Sequence, residues 1–303
     1  MAVYVNTNYS ALQGQRYLGN VQNSLTTTYQ RLSSGMRINS AKDDAAGLQI
    51  ADRLTSQING LNQGNRNASD GIALAQTIES GIDEISGMLQ KVRTLAVQAA
   101  NGTNSSEDRA ALGKEASALV AEMGRISAQT TYGGKSVLAG GTSTSIYTKA
   151  AKASVGGKMV LQVGSNKGDT ITFDVACFTF SVIAKDFTAG FANNGTKQVS
   201  GGKAVLFSTI TRAQDLIKSV DGIIARVDAQ CANLGAIQNR LESSIRNQSN
   251  VAANEADARS RIRDADFAEE SANLSQQSII QQAAASMLMQ ANTRPQLGLS
   301  LLG

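Results

Sequence analysis

The chain has 303 residues, a net charge of +4 and an isoelectric point near 9.1. It contains no histidine, two cysteines and one proline, which excludes imidazole metal sites and histidine-dependent catalysis and does not indicate a disulfide framework. Its basic and acidic residues are interleaved, which is typical of a solvated surface and argues against a nucleic-acid site.

Aromatic residues are scarce and unevenly placed. They make up 4% of the chain, with none between Tyr29 and Tyr132 or between Phe207 and Phe267. These two segments must pack on aliphatic side chains alone, which favours a long thin bundle over a thick globular core. The single proline, Pro295, lies near the C-terminal end, so no proline interrupts the long helices.

The two ends of the chain carry weak helical patterns. The first seam alternates spacings of three and four residues through Leu18, Val21, Leu25, Thr28 and Leu32. The last segment has a similar thin seam, made of Ile280, Ala284, Met287 and Ala291. Neither seam supplies enough apolar area to offset the entropy of ordering it alone. We therefore predict that both ends are disordered in the monomer and fold when they pair with each other and with neighbouring subunits.

A break in the pattern separates the first helix from the second. Gly35 and Asn39-Ser40 are turn residues, and Ser40 or Asp43 can cap a helix that begins near Ala45. Apolar residues then recur at heptad-like spacing, which predicts one helix over residues 45–99. Glycines inside this helix lower its propensity, and we expect them to allow close backbone approach between packed helices or between subunits. These glycines are Gly60, Gly64, Gly71, Gly81 and Gly87.

Two more helices complete a predicted bundle. A turn at residues 101–105 leads into the first, whose seam runs from Leu112 to Ile126. The second is predicted from about Thr209 to Ala253. Three amphipathic helices can bury their seams against one another, so this bundle is expected to be stable without partners.

Short alternating runs between these helices predict a small β region. Residues 159–163 and 169–175 alternate apolar and polar side chains around a Gly-Ser-Asn-Lys-Gly turn, which predicts a β-hairpin. A third run at residues 178–182 alternates in the opposite phase, so we expect a bulge or turn near residues 176–177.

Few residues suggest chemistry, and each has a simpler structural explanation. The neighbours Asp43 and Asp44, like Asp264 and Asp266, are more typical of helix caps and salt bridges than of an acid–base pair. The two cysteines offer no metal-ligand spacing. Cys231 falls on an apolar seam and is expected to be a core residue with a raised pKa, whereas Cys177 is expected to be more exposed.

Several strings closely resemble the signature of bacterial flagellins, the subunits of the flagellar filament. They lie at residues 31–50, 65–72, 89–98, 234–240, 260–267 and 299–302, and the resemblance covers nearly all of residues 1–140 and 206–303. It implies a mainly α fold, a long antiparallel helical bundle or coiled coil formed by the N- and C-terminal segments, with a small β-hairpin region in the middle.

The resemblance also implies a division of the chain. Residues 1–44 and 264–303 would form an inner-tube domain, and residues 45–175 and 206–263 a core bundle that includes the hairpin at 159–175. Residues 176–205 would be a short outer segment where longer flagellins carry variable domains. The inner-tube seams would be formed by Leu18, Val21, Leu25, Leu32, Ile280, Ala284, Met287, Leu299, Leu301 and Leu302.

The implied function is mechanical: a non-enzymatic subunit, without cofactor or metal, that polymerises into the filament for swimming motility. The alternative is a hook–filament junction protein with flagellin-like ends. By resemblance the partners are other copies, the filament cap, junction proteins, an export chaperone on the C-terminal segment and the host toll-like receptor for flagellin. No nucleic acid or membrane insertion is expected. The first residues lack a cleavable signal pattern, and the resemblance implies uncleaved type III export to the extracellular flagellum.

One helix face is a candidate recognition surface. In flagellins that resemble this chain, the matching face binds the toll-like receptor and is also buried between subunits of the filament. The corresponding residues are Leu89, Gln90, Lys91, Leu95 and Glu115. Because Leu89 lies on the apolar seam, its simpler explanation is packing in the bundle.

Overall fold

The computed structural model of the protein describes residues 7–140, 145–147, 157–178, 199–200, 204–205, 207 and 209–300. These residues form a mainly α fold, as predicted. The helices are α1 (Tyr9–Ser34), α2 (Ala45–Ala99), α3 (Ser106–Gln129), α4 (Ile210–Arg263) and α5 (Phe267–Ser300). The strands are β1 (Thr131–Tyr132), β2 (Lys135–Ser136), β3 (Gly157–Gln162), β4 (Thr170–Val175), β5 (Val199–Ser200) and β6 (Ala204–Val205), and they pair β1 with β2, β3 with β4 and β5 with β6, all antiparallel.

The chain divides into two compact units. Unit 1 comprises Met1–Ile58 with Val251–Gly303, and unit 2 comprises Asn59–Asn250. Helix α2 has the predicted bounds. Helix α4 continues ten residues beyond the predicted end at Ala253, because six of the ten residues that follow are alanine, glutamate or arginine, which have a high helix propensity.

In unit 1, the start of α2 is capped by a residue that the sequence prediction did not select. The carboxylate of Asp44 accepts a hydrogen bond from the backbone N–H of Gly47 at 2.9 Å. Asp43 instead accepts from the backbone N–H groups of Asn39 and Ser40, at 3.1 and 2.9 Å, and from the Ser40 hydroxyl at 3.0 Å. Asp44 therefore caps the helix, and Asp43 orders the loop before it.

This loop is expected to loosen at low pH. The hydrogen bonds from Ser40 and Asn39 lower the pKa of Asp43 from its ordinary value of 3.8. A lowered pKa means that the stabilisation is complete above pH 3.8 and is lost as the pH falls through the still lower pKa of the folded state. The protection of the Asn39 and Ser40 amides, taken as exchange relative to the intrinsic rate at each pH, should fall below that pH. In an Asp43→Asn variant the protection should no longer change with pH, and wild-type protection that is unchanged on acidification would contradict the assignment.

A backbone clasp joins the linker after α1 to the linker before α5. Gly35 ends α1 with a φ of +69°, a conformation that favours glycine, and its carbonyl accepts from the Ala265 N–H at 3.0 Å. The N–H groups of Arg37 and Ile38 both donate to the carbonyl of Arg263, at 2.7 and 3.3 Å. The clasp fixes where each terminal helix of unit 1 begins relative to the other.

In unit 2, α2, α3 and α4 share one apolar core. Its fully buried members include Ile78 and Ile82 of α2, Met123 of α3 and Leu234 of α4. Hydrogen bonds between side chains join α2 to α4. In order along α2 they pair Asn65 with Ser249, Glu79 with Gln238 and Arg93 with Asp221. Because the position on α4 falls as the position on α2 rises, these two helices are antiparallel.

The β3–β4 hairpin confirms the prediction, with Met159 paired with Phe173. It packs on α2 where the glycines lie. A Cβ atom on Gly60 would stand 2.7 Å from the Ser165 side chain, and one on Gly64 would stand 2.8 Å from the Val163 carbonyl carbon. Only glycine allows this approach without a shift of the hairpin.

The remaining α2 glycines differ from one another. A Cβ atom on Gly71 would collide with Leu161 of the hairpin, and one on Gly81 would stand 2.7 Å from Leu138. Nothing lies within 4 Å of the corresponding position at Gly87. A close backbone is therefore found at Gly60 and Gly64, where the neighbour is the hairpin and not a helix, whereas the close atoms at Gly71 and Gly81 belong to side chains. At Gly87 no close approach occurs within the chain.

Two anchors hold the chain where it leaves and re-enters the core of unit 2. On the outgoing side, the Gln230 side chain donates to the carbonyl of Asp174 at 3.0 Å, and the Phe178 N–H donates to the carbonyl of Leu138 at 2.9 Å. On the incoming side, the Val205 N–H donates to the hydroxyl of Ser117 at 2.9 Å. The predicted third alternating run lies outside the described residues from position 179 onward.

The exposure of the two cysteine side chains differs in part from the prediction. Cys177 is 2% exposed, because it follows β4 into the core beside the buried Phe178. Cys231 is half-buried, and burial, reinforced by the nearby Asp83 and Glu79, raises its thiol pKa as expected. The prediction that Cys177 is the more exposed cysteine is wrong.

Candidate interaction surfaces

The first candidate surface is the antiparallel pair of α1 and α5 in unit 1. One row of buried and half-buried residues on α1 has alternating spacings of three and four positions: Ala11, Gly14, Leu18, Val21, Leu25, Thr28 and Leu32. A row on α5 follows the same rule: Glu270, Leu274, Gln277, Gln281, Ala284, Leu288 and Ala291. This is the heptad spacing of a coiled coil, with many small or polar residues in it.

Polar contacts recur along this pair. Thr28, which is buried, donates its hydroxyl to the Gln277 side chain at 3.2 Å. Arg31 donates to the carboxylate of Glu270 at 3.1 Å, and Glu270 is only 7% exposed. Hydrogen bonds at seam positions tie the helices to one register, because a shift would leave buried polar groups unpaired.

The α5 side differs from the seam that the sequence suggested. Ala284 is buried and Ala291 half-buried, but Ile280 and Met287 are 37% and 70% exposed. Glu270 and Gln277 were missed, although steps of seven residues back from Ala284 reach both. Leu299 lies in the last turn of α5, and Leu301 and Leu302 lie outside the described residues.

Large exposed apolar side chains are concentrated in unit 1. It holds eleven of the fourteen among the described residues, although unit 2 is the larger unit. Those on α1 are Tyr9, Leu12, Tyr17 and Tyr29, and those on α5 are Phe267, Ile279, Ile280, Met287 and Met289. Exposure of this much apolar surface is typical of a face that another protein chain covers.

The second candidate surface lies on α2 and α3 in unit 2. Gln90, Lys91 and Leu95 of α2 and Glu115 of α3 line one open groove of about 430 Å³, together with the small residues Gly87 and Thr94. Gln90, Lys91 and Glu115 are exposed, and Leu95 is 9% exposed at the floor. The structure thus brings four of the five sequence-selected residues together.

The fifth residue, Leu89, lies inside the core of unit 2. It is 1% exposed and belongs to the apolar cluster formed with α3 and α4. Its position fixes the orientation of α2, so the next two side chains, Gln90 and Lys91, project from the surface.

The carboxylates that could have suggested chemistry serve as structural acceptors. Asp266 accepts from the N–H of Ala268 at 2.8 Å and so caps α5, as Asp44 caps α2. Asp264 pairs through its backbone with Met36 in the clasp. None of the described helices combines the length and apolarity that crossing a membrane requires.

Comparisons with known proteins show what the chain as a whole is similar to. Residues 5–143 match the family model of the bacterial flagellin N-terminal helical region, and residues 217–302 match that of the C-terminal helical region. Flagellin B and flagellin A of Vibrio cholerae are 34% and 35% identical to this chain over 378 aligned positions, and each alignment covers 100% of both chains. A crystal structure of Bacillus cereus flagellin superposes with a TM-score of 0.46 at 26% identity, covering 60% of this chain and 88% of that one.

Proposed function

The chain belongs to the bacterial flagellin family, and from this membership we propose that the α1–α5 pair is the element through which it polymerises. It is a structural subunit of the flagellar filament, an extracellular polymer of copies of the chain. The full-length relatives are flagellins, and the junction-protein alternative has no better support. The concentration of exposed apolar side chains in unit 1 carries the proposal.

The composition of α5 supports burial on several sides. No charged residue occurs between Ser271 and Thr293, and large exposed apolar side chains lie among uncharged glutamine, serine and asparagine side chains on this helix. Exposed apolar side chains on a helix are typical of a surface that another chain covers. Helix α1 covers one side of α5, and neighbouring copies would cover the others without desolvating a charge.

The pair itself is thin, which couples its folding to assembly. Only Leu25 and Thr28 of α1 are fully buried, and the seam contains small and polar residues. Ordering the terminal segments in a free chain therefore gains little apolar burial for the entropy that it loses. At a growing filament end, neighbouring copies supply the missing apolar contacts, so ordering and addition occur together.

On this basis the division of the chain follows the family pattern. Residues 1–44 and 264–303 form the inner tube, and residues 45–175 and 206–263 form the outer bundle, with residues 176–205 outermost. The chain is exported through a type III apparatus, its C-terminal segment is held by a chaperone, and it adds beneath the cap and beyond the junction proteins. Flagellins are structural proteins, and we assign this chain a mechanical role without catalysis, metal or cofactor.

The α2–α3 groove is the proposed contact for the toll-like receptor that binds flagellin. Its exposed Gln90, Lys91 and Glu115 offer hydrogen-bond donors, acceptors and both charges around the apolar floor at Leu95. Such a rim of polar groups around an apolar centre suits a protein partner. The same face would be covered between copies in the filament, so the receptor would bind the free subunit.

Seeded assembly tests the role of the terminal helices. The intact chain and a chain lacking residues 1–44 and 264–303 are each mixed with short sheared filament seeds and examined by negative-stain electron microscopy. The apolar cluster of unit 2 lies within residues 68–245, so the shortened chain retains its whole core, which circular dichroism would verify. We expect micrometre-long filaments from the intact chain only. Equal growth from the shortened chain, or an intact chain that stays monomeric, would contradict the proposal.

A further inference from the structure

We propose that Met287 and Met289 form a peroxide-sensitive site that controls whether a free subunit can join the filament. The inference rests on the proposed role of the α1–α5 pair in polymerisation. It adds a covalent modification, oxidation of two thioethers, that would act on the subunit before assembly and not on the finished polymer.

The exposure of these methionines distinguishes them from the core methionine. Met287 and Met289 are 70% and 66% exposed, whereas Met123 is 1% exposed in unit 2. They flank Leu288, which packs against Gly14 of α1. Successive residues of a helix point about 100° apart, so contact of Leu288 with α1 leaves the side chains before and after it uncovered.

The proposed cover of the two methionine side chains is a second copy of this chain. Met287 lines a groove of about 420 Å³ between α1 and α5, whose other walls include Tyr17, Ala284 and Gln290. Met289 projects from another side of the uncharged stretch of α5. Since the family polymerises and unit 1 holds most of the exposed apolar side chains of the described residues, an identical chain is the partner that would cover these faces.

Hydrogen peroxide is the oxidant for which the chemistry balances. A lone pair on the methionine sulfur attacks one peroxide oxygen, an S–O bond forms, the O–O bond breaks and, after proton transfer, water leaves. The thioether loses two electrons and becomes a sulfoxide, and the peroxide is reduced to water. The product is polar and chiral, and methionine sulfoxide reductases reverse the change.

A sulfoxide at either position would oppose assembly. Burying its oxygen against a neighbouring copy without a hydrogen-bond donor carries the cost of an unpaired buried polar group. In the filament the same contacts would shield the sulfurs from peroxide. Subunits with reduced methionines would thus add to the filament end, and subunits with oxidised methionines would not. The completed filament would be unaffected by peroxide.

The test compares oxidation with growth from seeds in the full chain. Monomer and filament are treated with dilute hydrogen peroxide, and sulfoxide at each methionine is quantified by peptide mass spectrometry. We expect faster oxidation of Met287 and Met289 than of Met123 in the monomer, and protection of both in the filament. Oxidised monomer should elongate seeds roughly tenfold more slowly or worse, and reductase treatment should restore growth.

Matched variants make the assignment specific. A Met287→Leu/Met289→Leu chain keeps the apolar volume of both side chains, so it should elongate seeds normally. It should also elongate them at the same rate after peroxide treatment. A Met159→Leu chain, altered at a half-buried hairpin methionine, should stay sensitive. If untreated wild-type chain fails to elongate seeds, the proposed function fails and this inference with it. If it elongates but oxidation has no effect, or the double variant is equally inhibited, only the methionine site is overturned.

Discussion

Replacing Gly64 with alanine is expected to destabilise unit 2 by about 3 kcal/mol, at the upper end of overpacking effects. The added methyl group would collide with the Val163 carbonyl, which is backbone and cannot rotate away. It would also approach the Gln248 side chain at 3.1 Å. The hairpin must therefore move off α2, and amide hydrogen exchange in β3 and β4 should accelerate together with a fall in the urea midpoint.

Gly87→Ala is the matched control in the same helix. Nothing surrounds that position within 4 Å, so the substitution adds helix propensity without a collision. It should stabilise the chain by about 1 kcal/mol, an effect of opposite sign to that at Gly64. If both variants raised the urea midpoint, the docking of the hairpin on Gly64 would be refuted.

Leu89→Ala is expected to lower the stability of unit 2 by about 3 kcal/mol, because it leaves a cavity in a core that the hairpin and three helices share. Lys91→Ala, two residues away on the exposed face, should change stability by less than about 0.5 kcal/mol. Thermal unfolding of the two variants would measure the contrast.

The same two variants separate packing from recognition. Binding of the purified receptor ectodomain to each folded variant should weaken for Lys91→Ala without a loss of stability. For Leu89→Ala, any loss of binding should follow the loss of structure, and it should recover at a temperature where the variant is fully folded. A direct contact by Leu89 would be indicated if binding stayed weak in the fully folded variant.

The spacing of apolar residues in the sequence predicted those helices and strands that have a single apolar face. The bounds of α2 could be predicted because the heptad run starts after turn residues and stops at the turn of residues 101–105. The hairpin could be predicted because two alternating runs flank a glycine-rich turn. The end of α4 could not, since the alanine, glutamate and arginine residues after Ala253 sustain a helix without a continuous apolar seam.

Where a helix carries apolar residues on several sides, its sequence does not show which side packs against the neighbouring helix. On α5, residue size pointed to Ile280 and Met287, but the intrachain seam uses Gln277, Ala284 and Leu288. Only the position of α1, fixed by the clasp, selects that side. The burial of Cys177 likewise depends on a long-range contact, the hydrogen bond from Phe178 to Leu138, which local alternation does not encode.

The two anchors in unit 2 have a consequence for chain length. Phe178 and Val205 are held independently, by Leu138 and Ser117, so the core is closed on both sides of residues 179–204. Doubling the number of residues between two fixed points adds only about 0.6 kcal/mol of closure entropy. The alignments with the Vibrio relatives extend over 378 positions, more than the 303 residues of this chain. Insertions and deletions between these anchors are thus nearly neutral for the core, and the length of the chain can change there while the packing of α2, α3 and α4 stays the same.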